Sequence, residues 1–328
     1  MYGDCVGERV TMQSTNRFTG PAQTHQLQSS TTIADRPGTT YTVEVTPTAP
    51  QAPSTTTPRR PAVRYLPREH GATAMLLTPI VCAAILARSW HWTELATLTA
   101  AFAALAAKDP LVVLMRQRFV WKQQRADSAI AARWFAGWFA LLLLSGLVLL
   151  ATWPIAATVG LGLGVCLFSV LAILVNVKNK QRSTLFQIVS AAALTSSSLA
   201  TSLSATGKIE PWCWWLWMLL ALQAAAGILV VHARLDARIA LRGTAPASLH
   251  FRRAAQVALV ALLGASAAAL FLRHSWIALA LLLAAIGYAY DLRSQRNPAA
   301  LQLPLQAVGQ RALTLSSIYA LLLILGLW

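Results

Sequence analysis

Between Arg68 and Arg88 the chain reads REHGATAMLLTPIVCAAILAR, and after His70 it carries no charge until Arg88. Runs like this limit a fold more than any other feature. In hydrocarbon every backbone N–H and C=O must find its partner within the protein, so only helices and closed barrels cross a membrane. A helix needs about 20 apolar residues to do so. Charged residues make up 12% of the 328-residue chain, half the roughly 25% of an ordinary soluble domain.

Nine segments meet or approach the length criterion: 71–88, 92–115, 131–153, 155–175, 185–203, 211–232, 254–272, 275–290 and 312–328. TWPIAA divides the third from the fourth, and SATGKIEP the fifth from the sixth. The expected fold class is therefore all-α, a polytopic transmembrane helix bundle of about nine spans. Residues 1–66, which include TVEVTPTAPQAPSTTTP, bury too little apolar surface to offset ordering entropy and are expected to form a disordered tail. Residues 67–328 form the membrane domain. No apolar run lies near Met1, and Pro61 follows the pair Arg59-Arg60, so neither a secretory nor a twin-arginine signal is expected.

Lysine and arginine accumulate on the cytoplasmic side of membrane proteins. With the N-terminus inside and nine alternating crossings, all but three of the 27 basic residues fall on the inner side. The exceptions are Arg88, Lys208 and Arg273. This places the protein in the cell inner (plasma) membrane with its C-terminus outside. The net charge of +16 then sets topology and meets anionic lipid. No groove-reading or base-stacking module points to nucleic acid. Nine of twelve tryptophans, in SWHW, Trp153, PWCWWLW, Trp276 and Trp328, fall at outer ends, as an interfacial belt would. Cys5, Cys82, Cys166 and Cys213 are far apart and match neither a disulfide framework nor a zinc spacing. Cys82 and Cys166 are expected to be buried small apolar residues.

Ionisable groups at the rim of a span are costly and mark candidate sites. Lys108, Asp109 and Arg116 close the second span, where Asp109-Pro110 has the form of a helix cap followed by a first helical residue. A new helix starting there would direct N–H groups at an anion. It would continue as a basic amphipathic surface helix, with Arg118, Lys122 and Arg125 on one face. His232 and Asp236 lie four residues apart at the end of the sixth span, as do Arg234 and Arg238, so each pair shares a helix face. Arg68, Glu69 and His70 occupy the same depth before the first span, and Gly71 would allow a close backbone approach there. Together these ten residues, Arg68, Glu69, His70, Lys108, Asp109, Arg116, His232, Arg234, Asp236 and Arg238, make a candidate inner-face pocket. Asn176, Tyr288, Tyr290 and Asp291 read as helix termination beside it. Gly160, Gly162 and Gly164 in the fourth span suggest close helix packing.

PREHGATAMLLTP resembles the opening motif of the YwiC-like bacterial membrane proteins, R/K-E-H-G-A-x-A-M-L-x-x-P, and the likeness extends from Pro67 to Trp328. It implies a multi-pass helical domain and assigns no reaction. The architecture is also similar to that of UbiA-type intramembrane prenyltransferases, with polar clusters after the second and sixth spans. That likeness implies a pocket for a prenyl diphosphate bound through Mg²⁺ by N-D-x-x-D-x-x-x-D and D-x-x-x-D. Here the first pattern falls on Lys108, Asp109, Val112 and Arg116, and the second on His232 and Asp236. Only Asp109 and Asp236 keep a carboxylate, a poor ligand set for magnesium. No metal or cofactor is expected. Arginine binds phosphate directly as a bidentate fork, so the expected partners are the lipid bilayer and an anionic lipid or isoprenoid phosphate. Two further readings are a diverged prenyl-transferring enzyme using Asp109 and Asp236, and a small-solute transporter.

Overall fold

The structure is a computed structural model, and it describes residues 70–122, 128–177, 183–243 and 249–328. The expected tail, with Arg68 and Glu69, lies outside the described residues. The helices are α1 (His70–Ala87), α2 (Trp92–Met115), α3 (Ser128–Thr152), α4 (Ile155–Val177), α5 (Thr184–Thr195), α6 (Ser197–Thr206), α7 (Pro211–Leu241), α8 (Leu249–Phe271), α9 (Ser275–Ser294), α10 (Pro298–Leu301) and α11 (Leu305–Leu327). No strand occurs among the described residues. Helices α5 and α6 are separated only at Ser196 and together make one crossing, Thr184–Thr206. Eight crossings are long and apolar enough to span a bilayer, and the shorter apolar helix Gly71–Ala87 makes the ninth. The protein is an all-α, multi-pass integral membrane protein.

The packing is uneven because lipid, not water, surrounds it. The main core joins α1, α7, α8, α9 and α11 through Ala83, Leu216, Leu262, Leu281, Tyr319 and Leu323, all almost fully buried. On α3 and α4, by contrast, Leu144, Leu147, Leu163 and Leu167 are exposed. In water such a surface would drive aggregation; against lipid tails it has no unfavourable counterpart. This explains Cys166, which is exposed on α4 rather than buried as expected, while Cys82 is buried. A small apolar side chain gains nothing from turning inward when its solvent is hydrocarbon.

The glycines that permit close packing are not the clustered ones. A Cβ added at Gly160, Gly162, Gly164 or Gly71 would meet nothing within 4 Å. At Gly326 it would lie 2.7 Å from Ile277 Cγ1, 3.1 Å from the Ile277 backbone nitrogen and 3.2 Å from Trp276 Cβ. At Gly227 it would lie 2.9 Å from the Tyr288 hydroxyl. These two positions let α11 approach the start of α9, and let Tyr288 lie across α7.

Polar contacts tie the same helices at depth. The Gln223 side-chain amide donates to Tyr288 OH and to Ser316 Oγ, both at 2.8 Å. Tyr288 OH donates to the Gln223 carbonyl at 3.2 Å, and Tyr319 OH to the Leu219 carbonyl at 3.0 Å. Membrane-embedded hydrogen bonds of this kind are worth about 0.6 kcal/mol each on average. Their larger effect is to fix the rotation of α7, α9 and α11, since any other rotation would strand an amide in hydrocarbon.

Helix ends gather at two levels. At one, Arg88 Nη2 donates to the Trp328 carbonyl at 3.3 Å and its guanidinium sits 3.9 Å over the Trp328 ring. Ser89 Oγ donates to Ala205 O at 3.1 Å at the same level. Trp90, Trp92, Trp214, Trp215, Trp276 and Trp328 are exposed there. The other level holds the ends of α7 and α9 and all of α10. This is the arrangement that nine alternating crossings require.

Candidate functional site

The end of α7 carries the densest charge. Arg234 is 4% exposed, far more enclosed than a rim arginine needs to be. Its Nη2 donates to the Ala300 carbonyl. One turn on, Arg238 Nη2 donates to the Leu303 carbonyl at 3.0 Å, and more weakly to Gln302 O at 3.4 Å. The two arginines thus hold α10 and the chain after it against α7. The spacing of four puts both on one face, as the sequence implies. Asn297 caps the start of α10 by accepting from the Ala299 N–H at 3.0 Å, and Pro298 supplies its first residue.

Two groups from other helices act on this pair. Asp291, on α9, interacts electrostatically with Arg234, and Arg311, on α11, acts on both. Three guanidinium groups and one carboxylate therefore converge from α7, α9 and α11. The cluster is net positive. The Arg234 Nε is buried and has no hydrogen-bond partner among the described residues, a costly arrangement for a charged donor. Gln295 Nε2 donates to the Val230 carbonyl at 3.2 Å and anchors the end of α9 to α7.

His232 turns elsewhere. Its Nε2 lies 2.9 Å from Gln187 Oε1 on α5, and its ring stacks on Phe251 of α8 at 5.4 Å. The imidazole joins α5, α7 and α8 within the packing. Asp236, four residues on, is partly buried.

The end of α2 departs from expectation. No new helix begins at Asp109-Pro110: α2 runs continuously through both, with Pro110 almost fully buried inside it. Tertiary packing on the proline ring outweighs the break that its missing N–H would otherwise favour. Lys108 Nζ lies 3.9 Å from Asp109 Oδ1. Beyond Met115 the helix widens into a π-helical turn, Arg116–Trp121, and ends at Lys122 in the left-handed region, φ 49°. The amphipathic surface helix expected there is not formed as an α-helix. The wider turn changes the register that placed Arg118 and Lys122 together. Gln117 is drawn inward and accepts from Ser128 Oγ.

Of the ten sequence candidates, Arg234 and Arg238 are brought together. Lys108 and Asp109 lie on α2 and Arg116 opens the π-helical turn after it; α2 packs mainly on α1, α3, α4 and α6, whereas α10 packs on α7. His70 opens α1. Asp291 and Arg311 were missed as site members. Each reads in sequence as a basic or acidic helix end, and only the packing of α9 and α11 on α7 joins them to Arg234. Among the described residues no three of His, Cys, Asp and Glu approach one another closely enough to hold a metal ion. A groove of about 350 Å³ lies elsewhere, on α3, lined by Arg133, Trp134, Gly137, Trp138 and Leu141.

Residues 66–202 match the family model described as YwiC-like protein. The match begins just before Arg68-Glu69-His70, runs through α1 to α5 and ends within α6; the arginine cluster on α7 lies beyond it. No curated protein and no solved structure matches the chain.

Proposed function

We propose, with the YwiC-like match over residues 66–202 as premise, that this is a multi-pass protein of the inner membrane whose cytoplasmic end binds an anionic lipid headgroup. The basic residues gathered at the helix ends that include α10 support reading that end as the cytoplasmic one. The observation that carries the reading is the buried guanidinium of Arg234, with its Nε unpartnered and with Arg238 and Arg311 near it. Asp291 is the acid that acts on Arg234, and with three guanidinium groups gathered there the cluster favours a ligand bearing one or more negative charges. A phosphate group accepts from arginine in bidentate fashion and needs no metal.

Native mass spectrometry of the protein with phosphatidylglycerol and phosphatidylcholine tests it. Adducts with the anionic lipid are expected to survive at collision energies that strip the zwitterionic one. Arg311→Ala, an exposed position, is expected to weaken anionic lipid retention about five-fold, roughly 1 kcal/mol per basic group at a membrane surface. Equal retention of both lipids, or no effect of Arg311→Ala, contradicts the proposal.

A further inference from the structure

Glu94 occupies the opposite level of the bundle, near the start of α2. It is 6% exposed, and neither carboxylate oxygen has a hydrogen-bond partner among the described residues. The His91 backbone N–H acts on it without reaching hydrogen-bond geometry, so an ionised carboxylate here would be buried with almost no donation, a costly arrangement.

The surrounding hydroxyls do not relieve it. Trp153 Nε1 donates to Ser204 Oγ at 3.1 Å. Ser204 Oγ and Thr97 Oγ1 are 2.5 Å apart, and Thr97 Oγ1 donates to Thr93 O at 3.1 Å. Since Thr97 has a single proton, Ser204 is the donor between the two hydroxyls. Thr93 Oγ1 donates to Ser204 O at 2.9 Å. The chain of bonds runs from the indole to the α2 backbone and uses each hydroxyl proton once.

The nearby cations are committed as well. Arg88, at the end of α1, is held by the Trp328 carbonyl and ring. Lys208, after α6, pairs with Glu210 at 2.9 Å. The ends of α3 and α4 at this level, Thr152 to Ala156, carry no charged residue. One titratable group remains: His91, exposed at the N-cap of α2 and close enough to act on the Glu94 charge.

We propose that Glu94 is a proton-binding site: its carboxyl group is held in the protonated form within the bundle and exchanges its proton with the aqueous face through His91. The step moves one proton between a carboxylate oxygen and the imidazole, with no other bond changed. A group with this access could accept a proton from one side of the membrane.

Infrared difference spectroscopy of the full-length protein in lipid nanodiscs provides the test. At neutral pH the wild type is expected to show a protonated-carboxyl C=O band that shifts in D₂O and is absent in Glu94→Gln. Glutamine keeps the shape and neutrality of the protonated acid, so this variant is expected to melt where the wild type does. Glu94→Met serves as a second band-free control should the glutamine variant fail to fold. His91→Ala is expected to keep the band but slow its H/D exchange at least about ten-fold, the lower range of general acid–base assistance. The proposal is overturned if no Glu94-dependent band exists at neutral pH. It is likewise overturned if the band emerges only after sodium is removed, which would make the occupant a metal cation. Unchanged exchange in His91→Ala overturns the assigned route.

Discussion

Arg234→Met is expected to lower the unfolding free energy by about 2 kcal/mol, within the range for a hydrogen bond made by a charged group. Methionine fills the stem of the arginine but cannot reach the Ala300 carbonyl, so α10 loses one of its tethers to α7. Asp291 meanwhile loses one of the two cations that act on it. Arg311 remains, which keeps the loss below the upper end of the range. Arg234→Lys is expected to recover part of the stability and little of the lipid retention, because an ammonium group is a single point of contact rather than a planar fork. Thermal unfolding in detergent, followed by intrinsic fluorescence, measures the first effect and native mass spectrometry the second. A methionine variant as stable as the wild type would show that the cluster does not hold α10 in place.

Gly326→Ala should destabilise the fold by about 2 kcal/mol, within the usual range for overpacking a tight interface. The added methyl group would press on Ile277 and on the Cβ of Trp276, and one contact is to backbone nitrogen at 3.1 Å. A flexible side-chain end could swing away, but a backbone atom in the first turn of α9 cannot. Gly264 offers the control, since a Cβ there meets nothing within 4 Å. Gly264→Ala is expected to be neutral or to stabilise by up to about 1 kcal/mol, the ordinary gain from replacing glycine within a helix. Opposite signs for one chemical change would locate the α9–α11 contact. Equal effects would mean that α11 does not approach α9 at Gly326.

Much of the fold was legible in the sequence because the bilayer imposes a length on every crossing. The nine charge-poor runs correspond to the nine crossings, and even the break between TWP and IAA separates α3 from α4. Helix interiors were less legible. Pro110 carries the local signature of a helix start, yet it is buried in the middle of α2, because burial of its ring outweighed local preference. The glycine run of α4 suggested an interface, but side chains that face lipid follow no packing rule a sequence can display. Gly227 and Gly326 belong to no such run and are identified only by Tyr288 and Ile277 across the gap.

The candidate site was legible in part for the same reason. Arg234 and Arg238 announce themselves by a spacing of four. Asp291 and Arg311 lie far along the chain, and nothing local links them to α7. Glu94 was hidden differently. In WTELATLT it sits at the third helical position, where an acid usually lies in water and favours the helix dipole. Its burial comes from the hydroxyl-rich α6, which packs on α2 and carries Ser204 into hydrogen-bonding reach of Thr93 and Thr97.

The proposed function puts the arginine cluster at the cytoplasmic end and Glu94 at the outer one. Cysteine labelling tests it directly. In a background with Cys5, Cys82, Cys166 and Cys213 replaced by alanine, Lys208→Cys and Arg296→Cys place one thiol at each level, both at exposed positions. A membrane-impermeant maleimide applied to intact cells is expected to label Lys208→Cys at once and Arg296→Cys only after permeabilisation. Labelling of both from outside, or of Arg296→Cys alone, would contradict the assignment.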